Sequence, residues 1–87
     1  MNHIEIANLA GVTLADLDGL LRGRASANVA NRLHVTMADI EDFIQGSVSA
    51  AMTNRLGLNT ISAAEELARA AGREGAIGIV IGMLISG

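Results

Sequence analysis

Apolar residues recur at intervals of three and four along most of this chain. Leu14, Leu17, Leu20 and Leu21 form one such stripe, and Met37, Ile40, Phe43 and Ile44 form a second. That spacing marks a helix with one face turned to a core. Punctuation precedes each stripe. Thr13-x-x-Asp16 and Thr36-x-x-Asp39 have the form of capping boxes, in which the hydroxyl accepts from an orphan N–H and the carboxylate sits at the positive helix end. Ser62-x-x-Glu65 has the same form. Ser26 and Ser49 are suited to cap the intervening helices, and Gly11, Gly23, Gly46 and Gly57 to stop them. The pattern predicts helices near residues 3–10, 14–22, 27–33, 37–45, 50–56 and 62–71. Turns this short should pack each helix on its immediate neighbours.

The punctuation recurs because the sequence does. Residues 6–23 lie over residues 29–46 at an offset of 23, with Ala7/Ala30, Asn8/Asn31, Val12/Val35, Thr13/Thr36, Asp16/Asp39 and Gly23/Gly46 identical. The same offset carries Ser26, Asn31, Arg32 and Leu33 onto Ser49, Asn54, Arg55 and Leu56. A period of this length is about one helix-turn-helix. The expectation is one all-α domain over residues 1–87, a compact bundle of short helices in tandem helix-turn-helix-like units near 3–23, 26–46 and 49–71, with an apolar tail over 72–87.

The tail is ambiguous. Ile77, Ile79 and Ile81 alternate with Gly78, Val80 and Gly82, and β-branched density suits a strand. Gly78-x-x-x-Gly82-x-x-x-Ser86 equally suits a helix with a seam of small residues. A lone strand in a helical chain has no pairing partner, which favours the helix. Such a run is either a core segment or a subunit contact, and Ile77, Gly78, Ile79, Ile81, Gly82 and Leu84 are the candidate contact residues.

Composition narrows the options. Half the residues are apolar, but Phe43 is the single aromatic, so the core is thin for 87 residues. Net charge is −3, with arginine as the only basic side chain and no lysine. The basic surplus usual in nucleic-acid binders is missing. The absence of cysteine fits a cytoplasmic protein. No secretory leader is expected from MNHIEIANLAG, and no run reaches the roughly 18–20 apolar residues a spanning helix needs. Membrane contact is left only to the tail.

No catalytic constellation stands out, so no enzyme, cofactor, metal or small-molecule substrate is expected. His3 and His34 lack metal-ligand spacing to any acid, and the serines lack a His–acid pair. Gly72-x-x-Gly75-x-x-Gly78 follows a helix and leads into an apolar run, the reverse of a phosphate loop.

Ala7, Leu9-Ala10-Gly11-Val12-Thr13, Leu17, Leu20-Leu21 and Gly23-Arg24 together resemble the DNA-binding headpiece of the lac-repressor family. The second copy repeats that frame with His34 at the turn glycine. The resemblance implies a helix-turn-helix whose second helix reads duplex DNA. Here that helix exposes Asp16 and Asp18, and its repeats expose Asp39, Glu41 and Asp42, then Glu65 and Glu66. Carboxylates are repelled by phosphates. Arg22, Arg24, Arg32 and Arg55 could still line a DNA backbone; alternatively they neutralise helix C-termini and pair with acids of adjacent units. The preferred reading is a non-enzymatic interaction or self-assembly module with a protein partner or further copies of itself. The alternative is a small DNA-binding regulator.

Overall fold

Six helices form, and each begins on a side chain that satisfies one of its free N–H groups. The computed structural model describes residues 1–87 as α1 (His3–Ala10), α2 (Leu14–Leu21), α3 (Ala27–Leu33), α4 (Met37–Gln45), α5 (Ala50–Arg55) and α6 (Ile61–Ser86), with no strand. Thr13 and Thr36 make full capping boxes with Asp16 and Asp39, while Ser26 and Ser49 cap α3 and α5. Losing one such cap costs about 1 kcal/mol.

The third capping threonine corrects the expectation at Ser62. Thr60 caps α6, its Oγ1 accepting from the Ala63 amide at 3.0 Å, and Ser62 lies inside the helix. Gly11, His34 and Gly57 share a left-handed backbone and are followed by Val12, Val35 and Leu58. Asn59 then intervenes before Thr60. This inserted residue shifts the cap and leaves Ala63 where α2 and α4 carry an aspartate, so α6 has a cap without the reciprocal half.

The tail is helical. α6 runs through it, broken only at Gly72, where φ is 72° and ψ is −178°. A side chain would strain that conformation, which glycine adopts freely. The break redirects residues 73–86, and Ala76, Ile77, Val80 and Leu84 enter the core. α6 touches every other helix, α4 most extensively. Packing on immediate neighbours therefore describes only part of the molecule. The five short helices carry narrow apolar stripes, and the long one supplies a common surface on which to bury them.

The stripes are also narrower than their spacing suggests. Leu17 and Leu20 are buried, whereas Leu14, Leu21 and Met37 remain 45%, 41% and 44% exposed. At 3.6 residues per turn, Leu14 and Leu21 fall on one flank of α2 and the core contacts centre on Leu17 and Leu20. In α4 the buried set is Ile40, Phe43 and Ile44.

Candidate interaction surfaces

Three of the carboxylates expected on the outer helix faces are turned to structural work. Asp16 Oδ2 accepts from the Thr13 amide at 3.1 Å and from Asn28 Nδ2 at 2.9 Å, tying the start of α2 to α3. The hydrogen bond from Asn28, helped by those from Ser26 and Thr13, holds the Asp16 carboxyl down at about 2, against the opposing effect of burial. Asp39 accepts from the Thr36 amide at 2.9 Å, and that bond, with a second from Ser49, likewise lowers its pKa. The equivalent carboxylate thus braces the equivalent serine one unit later. Glu41 Oε2 accepts from the Ala25 amide at 3.0 Å. Asp18, Asp42 and Glu66 remain outward and make no side-chain hydrogen bond.

The depressed Asp16 and Asp39 pKa values fix the sign of an acid effect. Their stabilisation is complete above the ordinary carboxylate range and is lost as pH falls through their folded values, toward about 2 for Asp16. Chemical denaturation from pH 6 to pH 2 should show stability falling below about pH 4. Asp16→Asn should lower stability at pH 6 and flatten that fall. An unchanged profile in the variant would mean that Asp16 is not a source of the acid sensitivity.

The six arginines separate into two groups. Arg55 Nε donates to the Leu33 carbonyl at 3.0 Å, at the end of α3. Arg32, its counterpart one repeat earlier, lays its guanidinium against Gly11 at the end of α1. Both reach the end of α6 as well: Arg32 lines a depression with Met83, Leu84 and Gly87, and a terminal nitrogen of Arg55 comes near Gly87. Cations at helix C-termini are favoured by the backbone dipoles, so this pair acts within the fold. No arginine hydrogen-bonds a carboxylate; the Arg55 bond to Leu33 is the one side-chain hydrogen bond any of them makes. The expected pairing with acids of adjacent units is therefore absent, and Asp16, Asp39 and Glu41 are occupied as caps and struts.

The second group gathers at the far end of the C-terminal half of α6. A Cβ on Gly23 would meet the Arg73 guanidinium at 3.0 Å, so Arg73 packs against the turn that carries Arg22 and Arg24. Arg73 also lines a depression of about 320 Å³ with Arg69, Gln45 and Gly46, and another of about 350 Å³ with Leu21, Glu74 and Ile77. A third, of about 300 Å³, lies between Asp18, Gly19, Arg22 and Arg24. From residue 73 to residue 84 the helix rises roughly 17 Å, which separates the two groups. The sequence singled out Arg22, Arg24, Arg32 and Arg55 as one set; the fold divides them and adds Arg69 and Arg73. The four-residue spacing of that pair is no guide to it, since the break at Gly72 lies between the two arginines.

The tail residues also divide. Ile77 and Leu84 are 4% and 2% exposed within the chain's own core, so these two do not form a subunit contact. Burial follows from the turn at Gly72, which aims that stripe inward. Ile79 and Ile81 are half-buried, and Gly78, Gly82 and Ile85 face outward. A Cβ built on Gly78 or on Gly82 meets nothing within 4 Å.

No group of three or more His, Cys, Asp and Glu side chains comes together to hold a metal. No helix is long and apolar enough to cross a membrane. Compared with protein-family models, curated proteins and solved structures, the chain matches none of them.

Proposed function

We propose that this chain is a non-enzymatic self-assembly or protein-interaction module on a helix-turn-helix-like scaffold, suited by its lack of cysteine to the cytoplasm. One observation carries the reading. Gly78 and Gly82 sit in mid-helix, exposed, with open space where a side chain would stand. Neither has a positive φ, so the monomer's backbone gains nothing from them. Each glycine costs a helix about 1 kcal/mol relative to alanine. A bare strip of backbone one turn long, beside Ile81 and Ile85, lets a second helix approach closely, the packing that small residues permit.

Gly78→Ala with Gly82→Ala should therefore stabilise the isolated monomer by about 1–2 kcal/mol. The same pair should weaken association, and Gly78→Leu should abolish it. Denaturation and sedimentation velocity on the same samples read the two effects. Association equal to wild type in Gly78→Leu, or a wild type monomeric at high concentration, would overturn the reading.

A second reading, contact with duplex DNA phosphates, draws on the convergence of Arg22, Arg24 and Arg73 at the Gly23 turn. Against it stand the net charge of −3 and the engagement of Arg32 and Arg55 at helix ends. Salt-dependent binding of random duplex, diminished by Arg22→Ala with Arg24→Ala, would establish it.

A further inference from the structure

We infer that α6 opens at Gly72 into one straight helix and exchanges residues 73–86 with a second copy of this chain, each tail entering the other's core. The inference rests on the self-assembly reading and gives it a mode that needs no Gly78–Gly82 strip. Two glycines make the bend, for separate reasons. Gly72, at φ 72° and ψ −178°, occupies backbone space that is essentially glycine's alone. A Cβ there would meet nothing within 4 Å, so only the dihedral excludes a side chain. Gly75 has the reverse constraint. Its backbone is helical, but a Cβ on it would stand 2.9 Å from the Ala71 Cβ. In a straight helix those positions are about 5–6 Å apart. The bend pinches that side, and glycine clears it. No side-chain hydrogen bond involves any residue from 64 to 82, so glycine backbone and packing alone hold the bend.

Straightening leaves the tail one place to go. Drawn out, the 26 residues of α6 would be roughly 39 Å long, against 34 Å for the greatest extent of the folded chain. The second half would then leave the core it fills. Its apolar face has the phase for a second core. Val80 follows Ala64 by sixteen residues and Leu84 follows Ala68 by sixteen, about 4.4 turns, so the two buried faces lie nearly opposite on a straight helix. Bent, both faces meet one core; straight, they suit two cores, one on either side. Ala76, Ile77, Val80 and Leu84 are internal in the closed chain, and the opened chain presents them uncovered. The surface shaped to them is the groove that the tail has vacated, and in a second opened copy that groove is free. Reciprocal exchange is isologous and closes at a dimer. The tether works against it, because a tail competes for its own core at an effective concentration on the order of millimolar.

Alanine reverses both glycine effects, disfavouring the bend at residues 72 and 75 and favouring the straight helix. Gly78→Leu is carried in every sample to silence the strip, so the association that remains is the exchange. Gly78→Leu alone should be monomeric at micromolar concentration and, refolded from urea at several millimolar, should yield a dimer. Adding Gly72→Ala and Gly75→Ala should raise the dimerisation constant roughly a hundredfold with the helical circular dichroism retained. Exchanged tails part only by unfolding. Isotope-labelled and unlabelled dimers should therefore mix over hours in buffer and within minutes in moderate urea, as read by native mass spectrometry. A folded triple variant that stays monomeric overturns the exchange, as do dimers that mix at once in buffer, which are surface contacts. If the triple variant does not fold, the refolded Gly78→Leu chain decides alone, and monomer there overturns the exchange. Failure of the strip reads differently: Gly78→Leu would associate like wild type at micromolar concentration and mix at once, while slow-mixing dimers of the alanine variants would still report the exchange.

Discussion

Val80→Asp is expected to leave the chain without a cooperative fold. Val80 is 0% exposed, one turn from buried Ala76 and Leu84, on the helix that touches all five others. An isolated carboxylate there must be desolvated or protonated, and either course costs several kcal/mol. A domain of this size holds roughly 5–10 kcal/mol in total. Far-ultraviolet circular dichroism should show most helix signal lost and no thermal transition. Gly82→Asp, two residues on but outward-facing, should keep the wild-type spectrum. A native-like melt in Val80→Asp would mean that α1 to α5 hold together without the tail, contrary to their shared packing on α6.

That contrast marks what the chain reveals of itself. Caps on α2 to α5 are legible because capping is settled within four residues: Thr13 and Asp16 need only each other. The α6 cap is not, since Asn59 displaces the threonine from its expected register. The tail's alternating isoleucines suit strand and helix alike, and only pairing partners elsewhere decide between them. Its place at the centre depends on long-range contacts that no local pattern records. The arginines show the same limit. Charge at a helix C-terminus can be expected of Arg55, but its acceptor, Leu33, is 22 residues away. The gathering of Arg22, Arg24 and Arg73 exists only after α2 and α6 have packed. The glycine seam was visible as spacing; that it faces outward, with Ile77 and Leu84 inward, required the turn at Gly72.

Phe43→Ala should cost about 3–5 kcal/mol, the range for emptying a large buried site. Phe43 is the chain's only aromatic, is 0% exposed, and sits on α4, the helix with the broadest contact to α6. The remaining core is Ala, Leu, Ile, Val and Met, in which short helices have little reach to close a void. The matching position one repeat earlier is Leu20, also 0% exposed, so the scaffold accepts leucine at this point of a unit. Phe43→Leu should accordingly cost no more than about 1.5 kcal/mol. Urea denaturation distinguishes the two: an alanine variant near the edge of folding at room temperature, and a leucine variant with a modestly lowered midpoint and unchanged slope. Equal, small losses in both would place the energetic centre of the core away from the α4–α6 contact. Equal, large losses would instead show that α4 meets α6 through aromatic shape, which its repeat partner α2 does without.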